Sequence, residues 1–239
     1  KNIYISDMGY AEKFQDNKYF LGELPFAYDP HIHKPSAVNN KTKLIQSIAN
    51  MNDSRDKWFD LMDKHNCLPD IYGNYFATSK LWLFNPLKVK PSINFRNQNK
   101  VYSNYSVSLN IHSNVIKNGT NLKTFEAAGF QVPQLVEYKS GLNDFFEPDT
   151  EIMVFSSIEE YKEKLERLGN DKSLRKLLVS NSYKRAMATH TYENRVKSII
   201  DNYRSSGVQK ENTVKNKNLA TLKSNEFGFY SPNGWIKVL

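Results

Sequence analysis

The chain has 239 residues, 39% of them hydrophobic, and a formal net charge of +8. That apolar share supports one packed domain with appendages and excludes a disordered polyelectrolyte, while no run nears the roughly 18–20 apolar residues of a membrane-spanning helix. A single cysteine, Cys67, excludes an internal disulfide and a cysteine-based metal site, and the positive charge favours an anionic partner without choosing its class.

The opening "KNIYISDMGY" is too short and too polar for a signal peptide, so a cytoplasmic location is expected. Within it "IYIS" reads as a short strand. "YFLGELPFAYDPHIHKP" follows, with prolines and clustered aromatics that suit an ordered extended connection. Residues 41–66 read as two helical segments, with Leu44, Ile45 and Ile48 on one face of the first and Trp58, Phe59 and Met62 on one face of the second. "DIYGNYF" and "YSVSLNIH" have β-type composition, and the aromatics of "NYFATSKLWLF" are expected in the core.

An orderly alternation comes next. "VPQLVEY" and "IMVF" read as strands, and Ser157 with Glu160 forms a capping box before a helix that turns Ile158, Tyr161, Leu165 and Leu168 inward. Residues 171–188 and 191–204 read as two further amphipathic helices. Their inward stripes are Leu174, Leu177 and Leu178, then Val196, Ile199 and Ile200. Strands alternating with helices imply an α/β fold, a Rossmann-like parallel sheet with helices on both faces. The polar run at 206–224 reads as a linker, and "FGFYSPNGWIKVL" as a tail that docks through Phe227, Phe229, Tyr230 and Trp235.

Ligands of an open parallel sheet bind beyond the carboxyl ends of its strands. The stretch "SLNIH", a loop with Gly119, then "NLKTFEAA" closed by Gly129 has that layout. Backbone N–H groups near Thr120, Asn121 and Leu122 would face a phosphate, and Gly119 lets it come close to the main chain. Lys123 adds a cation, and Glu126, about one turn further on, can accept hydrogen bonds from a ribose diol. These are the features of a nucleotide-diphosphate site. His112 ends its strand at the same edge as a candidate phosphate or sugar contact. Tyr138, Lys139, Ser140 and Gly141 follow the next strand and are candidates to line the site. His31 and His33 read as part of a hinge loop, and His65, His190 and Cys67 as structural.

The segment from "LNIHS" through "FSSIEEYKEKLERL", followed by "HTYENRV", resembles the carboxyl-terminal domain of the CgeB-like (spore-maturation type) glycosyltransferases, within the two-domain GT-B superfamily. The similarity covers roughly residues 101–200. "YFLGELPFAYDPHIHKP" resembles the passage between that family's two domains. The resemblance implies residues 1–35 as the remnant of a largely missing amino-terminal Rossmann domain plus the connection. It implies residues 36–205 as the donor-binding domain, and leaves 206–239 as linker and tail.

The activity implied is sugar transfer from a nucleotide-diphosphate sugar to an acceptor, with Lys123 and Glu126 in the catalytic roles. The donor-binding set is His112, Asn118, Gly119, Thr120, Asn121, Leu122, Lys123 and Glu126. Relatives carry a carboxylate where Asn118 stands and arginine where Lys123 stands, so this chain keeps a hydrogen-bonding group at the first position and a charge without the bidentate fork at the second. No Asp-x-Asp motif occurs, and the resemblance implies no metal or other cofactor, with helix dipole and cations stabilising the leaving diphosphate. The alternative is a non-catalytic nucleotide-sugar-binding module, or one half of a split enzyme that works with a separate amino-terminal domain or chain. Nucleic acid is disfavoured as a partner, since neither a recognised binding module nor one clustered basic face is legible.

Overall fold

The computed structural model describes residues 3–36 and 41–205, and the strand backbone at 228–231 and 234–237. The first strands, β1 (Ile3–Ile5) and β2 (Phe20–Glu23), pair parallel around a 3-10 turn at Met8–Lys13. The chain then runs without regular structure through Leu24–Ser36 into a second, larger sheet.

That sheet holds β3 (Lys43–Ile48), β4 (Asp70–Tyr72), β5 (Val89–Lys90), β6 (Tyr105–Asn110), β7 (Gln134–Glu137) and β8 (Met153–Phe155). All neighbours pair parallel, in the order β5-β4-β3-β6-β7-β8. The chain therefore enters at the middle, winds outward to one edge, returns and winds to the other. This is the doubly wound Rossmann order, with its switch point between β3 and β6. The connecting helices are α1 (Asp53–Lys64), α2 (Lys80–Phe84), α3 (Gln98–Asn104) and α4 (Leu122–Gly129). Beyond β8 lie α5 (Ile158–Asn170), α6 (Lys172–Thr189) and α7 (Tyr192–Ser205).

Local chemistry sets the helix ends. Asn52 caps α1 by accepting from the Arg55 N–H at 3.1 Å, and Asp53 and Asp56 in the first turn oppose Lys64 in the last, as the helix dipole favours. Ser157 caps α5 by accepting from Glu160, whose own carboxylate reaches back to the Ser156 N–H at 2.7 Å. Ile158, Tyr161, Leu165 and Leu168 of α5 are buried as expected, against a core that includes Phe59, Met62, Val107 and Leu135. Fully burying one such side chain contributes about 1.5–3 kcal/mol, and truncating Phe59 to alanine would cost about 3–5 kcal/mol.

Several expectations fail here for identifiable reasons. Lys43–Ile48 is the central strand β3, not a helix. Apolar residues at 44, 45 and 48 mimic a helical face, yet Ile45, Gln46 and Ser47 are all buried, and Gln46 donates to the Ser108 hydroxyl at 3.2 Å across the sheet. A strand covered on both faces loses the alternation that marks an edge strand, and pairing on both sides outweighs local pattern. In α6, Leu178 is buried but Leu177 is exposed, one position off the stripe. Among the described residues α7 buries no side chain, and Val196 and Ile200 lie at the surface. Tyr75 is in the core, whereas Phe76 and Phe84 are exposed.

The chain divides into two compact units, Lys1–Asn202 and Tyr203–Leu239. The second contains β9 (Gly228–Ser231) and β10 (Gly234–Lys237), an antiparallel pair in which Trp235 stands opposite Tyr230. The expected linker at 206–224, Phe227 and the tail side chains lie outside the described residues. No helix among the described residues is long and apolar enough to cross a membrane.

Candidate functional site

At the carboxyl edge of the sheet, next to the switch point, β6 runs through Ile111 and His112 into the loop that leads to α4. Asn121 caps that helix, its Oδ1 accepting from the Lys123 N–H at 3.0 Å. Asn110 and Asn121 exchange amide hydrogen bonds of 3.0 and 2.9 Å, and Asn110 also donates to the Thr124 hydroxyl at 2.7 Å. The strand end and the helix start are thus one polar unit, which fixes the direction of the α4 amino terminus.

His112 is fully buried against this unit. Its N–H donates to Glu137 Oε2 at 2.9 Å, and its Nδ1 faces the Asn121 amide nitrogen at 3.3 Å. With Nδ1 accepting, the ring proton sits on Nε2, which has no partner among the described residues. Burial, reinforced by Lys139 and then Arg55, pushes its pKa down to about 3. The imidazole is therefore neutral at pH 7 and holds a desolvated, unused donor. Glu137 is held in turn by Trp58 Nε1 at 3.2 Å and by Lys139 at 3.5 Å. Arg55 bridges the switch point, donating to the Ile111 carbonyl and the Asn50 carbonyl, each at 2.9 Å.

The loop before α4 is fastened from the amino-terminal segment. Buried Asp7 accepts from the N–H groups of Lys117 at 2.6 Å, Asn118 at 3.1 Å and Gly119 at 3.3 Å, as well as Gly9 at 2.8 Å. The Asn118 side chain accepts from the Gly141 N–H at 3.0 Å and from the Ser140 hydroxyl, which ties the β6 and β7 loops together. An added Cβ at Gly141 would lie 2.8 Å from the Asn118 carbonyl, so that glycine is required by close approach. Gly119 differs. Its φ is not left-handed, and an added Cβ would meet nothing nearer than 3.7 Å.

Glu126 is 6% exposed. Its Oε2 accepts from Lys123 Nζ at 2.6 Å, and its Oε1 lies 3.4 Å from His33 Nε2. Burial would raise its pKa, but the hydrogen bond from His33 and the Lys123 charge outweigh burial and hold it below the ordinary 4.5. Lys123 also donates to Gln98 Oε1 at 3.1 Å, leaving one of its three donors. His33 Nδ1 lies 3.0 Å from the Asp29 nitrogen and 3.1 Å from its carbonyl oxygen, which holds the ring with Nε2 facing the Glu126 carboxylate. Gly129 is the last residue of α4, as expected, and a Cβ there would stand 2.5 Å from the Tyr28 ring.

The structure therefore gathers His112, Gly119, Thr120, Asn121 and Leu122 at one edge, around the amino terminus of α4. Asn118 is turned toward Ser140 and Gly141, and Lys123 is folded onto Glu126. Glu126 is buried, not on a solvated face. Sequence reasoning does not mark Asp7, Arg55 and Glu137, and it places His33 in a hinge loop with no role toward Glu126. Each acts through a contact distant along the chain, such as Asp7 with Lys117, and a single sequence carries no signal for that. Among the described residues no three His, Cys, Asp or Glu side chains are grouped to hold a metal ion.

The model of the glycosyl transferase-like family matches residues 55–201, more than half of the chain. The chain belongs to this family. No curated protein matches it. Solved structures with the same fold include HepE of Anabaena in complex with UDP and glucose, at 10% identity and a TM-score of 0.66, covering 85% of this chain and 63% of that one. TarM of S. aureus shares 14% identity at a TM-score of 0.64, over 84% of this chain and 43% of its own. Sucrose-phosphate synthase of Thermosynechococcus elongatus shares 14% at 0.63, over 85% and 57%. These identities carry the fold alone, that of a single Rossmann-like domain of the GT-B type. The chain spans between 43% and 63% of the length of these structures.

Proposed function

We propose that this chain is the donor-binding part of a CgeB-like glycosyltransferase that moves a sugar from a nucleotide-diphosphate donor to an acceptor in the cytoplasm. Family membership supports sugar transfer, and the HepE complex with UDP and glucose makes a uridine donor the first to test. The observation that carries the reading is Gly119. The fold has no need of a glycine there, yet one stands at the mouth of α4, where a diphosphate would approach the main chain.

In this reading the diphosphate lies against the N–H groups of Thr120, Asn121 and Leu122, and the remaining Lys123 donor reaches a phosphate oxygen. Glu126 keeps a lone pair on each oxygen for the ribose hydroxyls. The neutral Nε2–H of His112 donates to a phosphate or sugar oxygen at no cost in desolvating a cation. As the glycosidic bond breaks, charge grows on the departing diphosphate, and fixed donors in place beforehand stabilise that charge without reorganisation. No metal is assigned a role.

A second reading, a binding module without turnover, is favoured by Asn118. It stands where relatives carry a carboxylate, and its side chain is engaged by Ser140 and Gly141. Calorimetric titration with uridine and UDP, then with the UDP-sugar while following UDP release, separates the two. Lys123→Ala should weaken UDP at least about tenfold and spare uridine, since a charge-assisted hydrogen bond is worth about 1.5–3 kcal/mol. Binding without release in the presence of candidate acceptors favours the module. Absence of binding to UDP, GDP and dTDP alike rejects both readings.

A further inference from the structure

We propose that a cleft at the amino-terminal edge of the main sheet binds a phosphorylated small molecule, with Lys41, Lys172, Arg175 and Lys176 as the phosphate-holding groups. The cleft lies at the opposite edge from His112 and the start of α4. Ser106 near the start of β6, Pro133 just before β7 and Lys41 ahead of β3 line one side, and the first turns of α6 line the other. Its volume of about 540 Å³ is in the range of small-molecule sites.

The charge of this cleft is unbalanced. No Asp or Glu is among the described residues that line it. Some lysines elsewhere converge on carboxylates, as Lys43, Lys88 and Lys90 do on Asp70 and Lys123 on Glu126. None of the four cleft cations takes part in an ion pair among the described residues. Asp171, beside Lys172 in sequence, uses its carboxylate to cap α6 through the Leu174 N–H at 2.8 Å. Arg175 is anchored through Nη1 to the Leu168 and Gly169 carbonyls.

Cations in the first turns of a helix add to the positive end of its dipole, an arrangement that disfavours the empty site and favours an anion. Burial lowers the Lys41 pKa, and the neighbouring Arg175 lowers it further, as expected of cations gathered without a counter-ion. Converging cations of this number match a phosphate dianion better than a single carboxylate. Ser106 and Gln131 supply neutral hydrogen-bonding groups for the rest of such a ligand. The occupant is small and not an extended polyanion, because the charge is concentrated: the adjoining cleft along α6 adds only Lys184, among Met187, Ala188 and Val179.

The test is calorimetric titration with glucose 6-phosphate and with inorganic phosphate at an ionic strength of about 0.15 M, where nonspecific surface attraction is screened. Saturable binding below about 1 mM is expected. The double variant Lys172→Gln/Lys176→Gln should lower it at least about tenfold. Both side chains are exposed, so the fold is retained, as circular dichroism would verify. Lys123→Ala should leave this binding unchanged. Three outcomes overturn the proposal: no saturation up to about 10 mM, loss in Lys123→Ala with the double variant unaffected, or binding only of heparin or an oligonucleotide.

Discussion

Replacing Glu126 with glutamine probes a buried, doubly engaged group of the candidate site while keeping its shape. The carboxylate serves two donors, Lys123 Nζ at 2.6 Å and the His33 Nε2–H at 3.4 Å. Glutamine offers one oxygen, so its amide N–H groups must face whichever donor remains. A buried donor left unsatisfied costs about 1–3 kcal/mol, and replacing a charged acceptor by a neutral one about 1 kcal/mol more. The expected loss is about 2–4 kcal/mol, or a fall in Tm of about 4–16 °C for a unit of this size. Thermal denaturation followed by circular dichroism measures it.

The pH dependence supplies a sign check. Because the folded pKa of Glu126 lies below 4.5, its stabilisation is complete above pH 4.5 and lost as pH falls through the folded value. The gap between parent and variant should therefore close in acid. A Tm change under about 2 °C at pH 7, or a gap that persists undiminished in acid, would refute the reasoning.

Gly119→Ala should leave Tm within about 1 °C of the parent but weaken UDP at least about tenfold, whereas Gly129→Ala should cost about 1–3 kcal/mol through its clash with Tyr28. Equal effects of the two on stability would contradict the geometry. Asp7→Ala leaves the N–H groups of Lys117, Asn118 and Gly119 without their acceptor, so Tm should fall and trypsin should cut faster after Lys13 and Lys18; unchanged proteolysis would sink this account of the loop. His112 and His190 are pushed down to about 3 and about 4, chiefly by burial, from an ordinary 6.5. Depressed values mean stability that is full above pH 6.5 and lost progressively below it, so the urea midpoint should drop between pH 7 and 5. NMR titration midpoints near 6.5 for both rings would refute it.

The alternation from residue 105 onward was legible because the apolar runs of β6, β7 and β8 are interleaved with or followed by helices that carry side-chain caps, Asn121 before α4 and Ser157 before α5. The polar signature around Gly119 and the α4 start was legible for the same reason: it is local. β3 was not, because a strand paired on both sides and covered on both faces shows a pattern that a short helix also shows. The exposed positions Leu177, Val196 and Ile200 fit a helical period, and period alone does not say which faces find a partner. The sequence marks Glu126 as a ligand group but carries no sign of its engagement by His33, since the two are brought together only by the connector that carries Tyr28 past Gly129. Asp7 acts across the fold in the same way.

The most direct test of the central claim is a crystal structure of this chain with bound UDP. The account predicts the diphosphate within hydrogen-bonding distance of the N–H groups of Thr120, Asn121 and Leu122, close over Gly119, with the ribose hydroxyls on Glu126. A nucleotide seated elsewhere, or an α4 amino terminus left empty under saturating UDP while the nucleotide occupies the amino-terminal edge of the sheet, would contradict it.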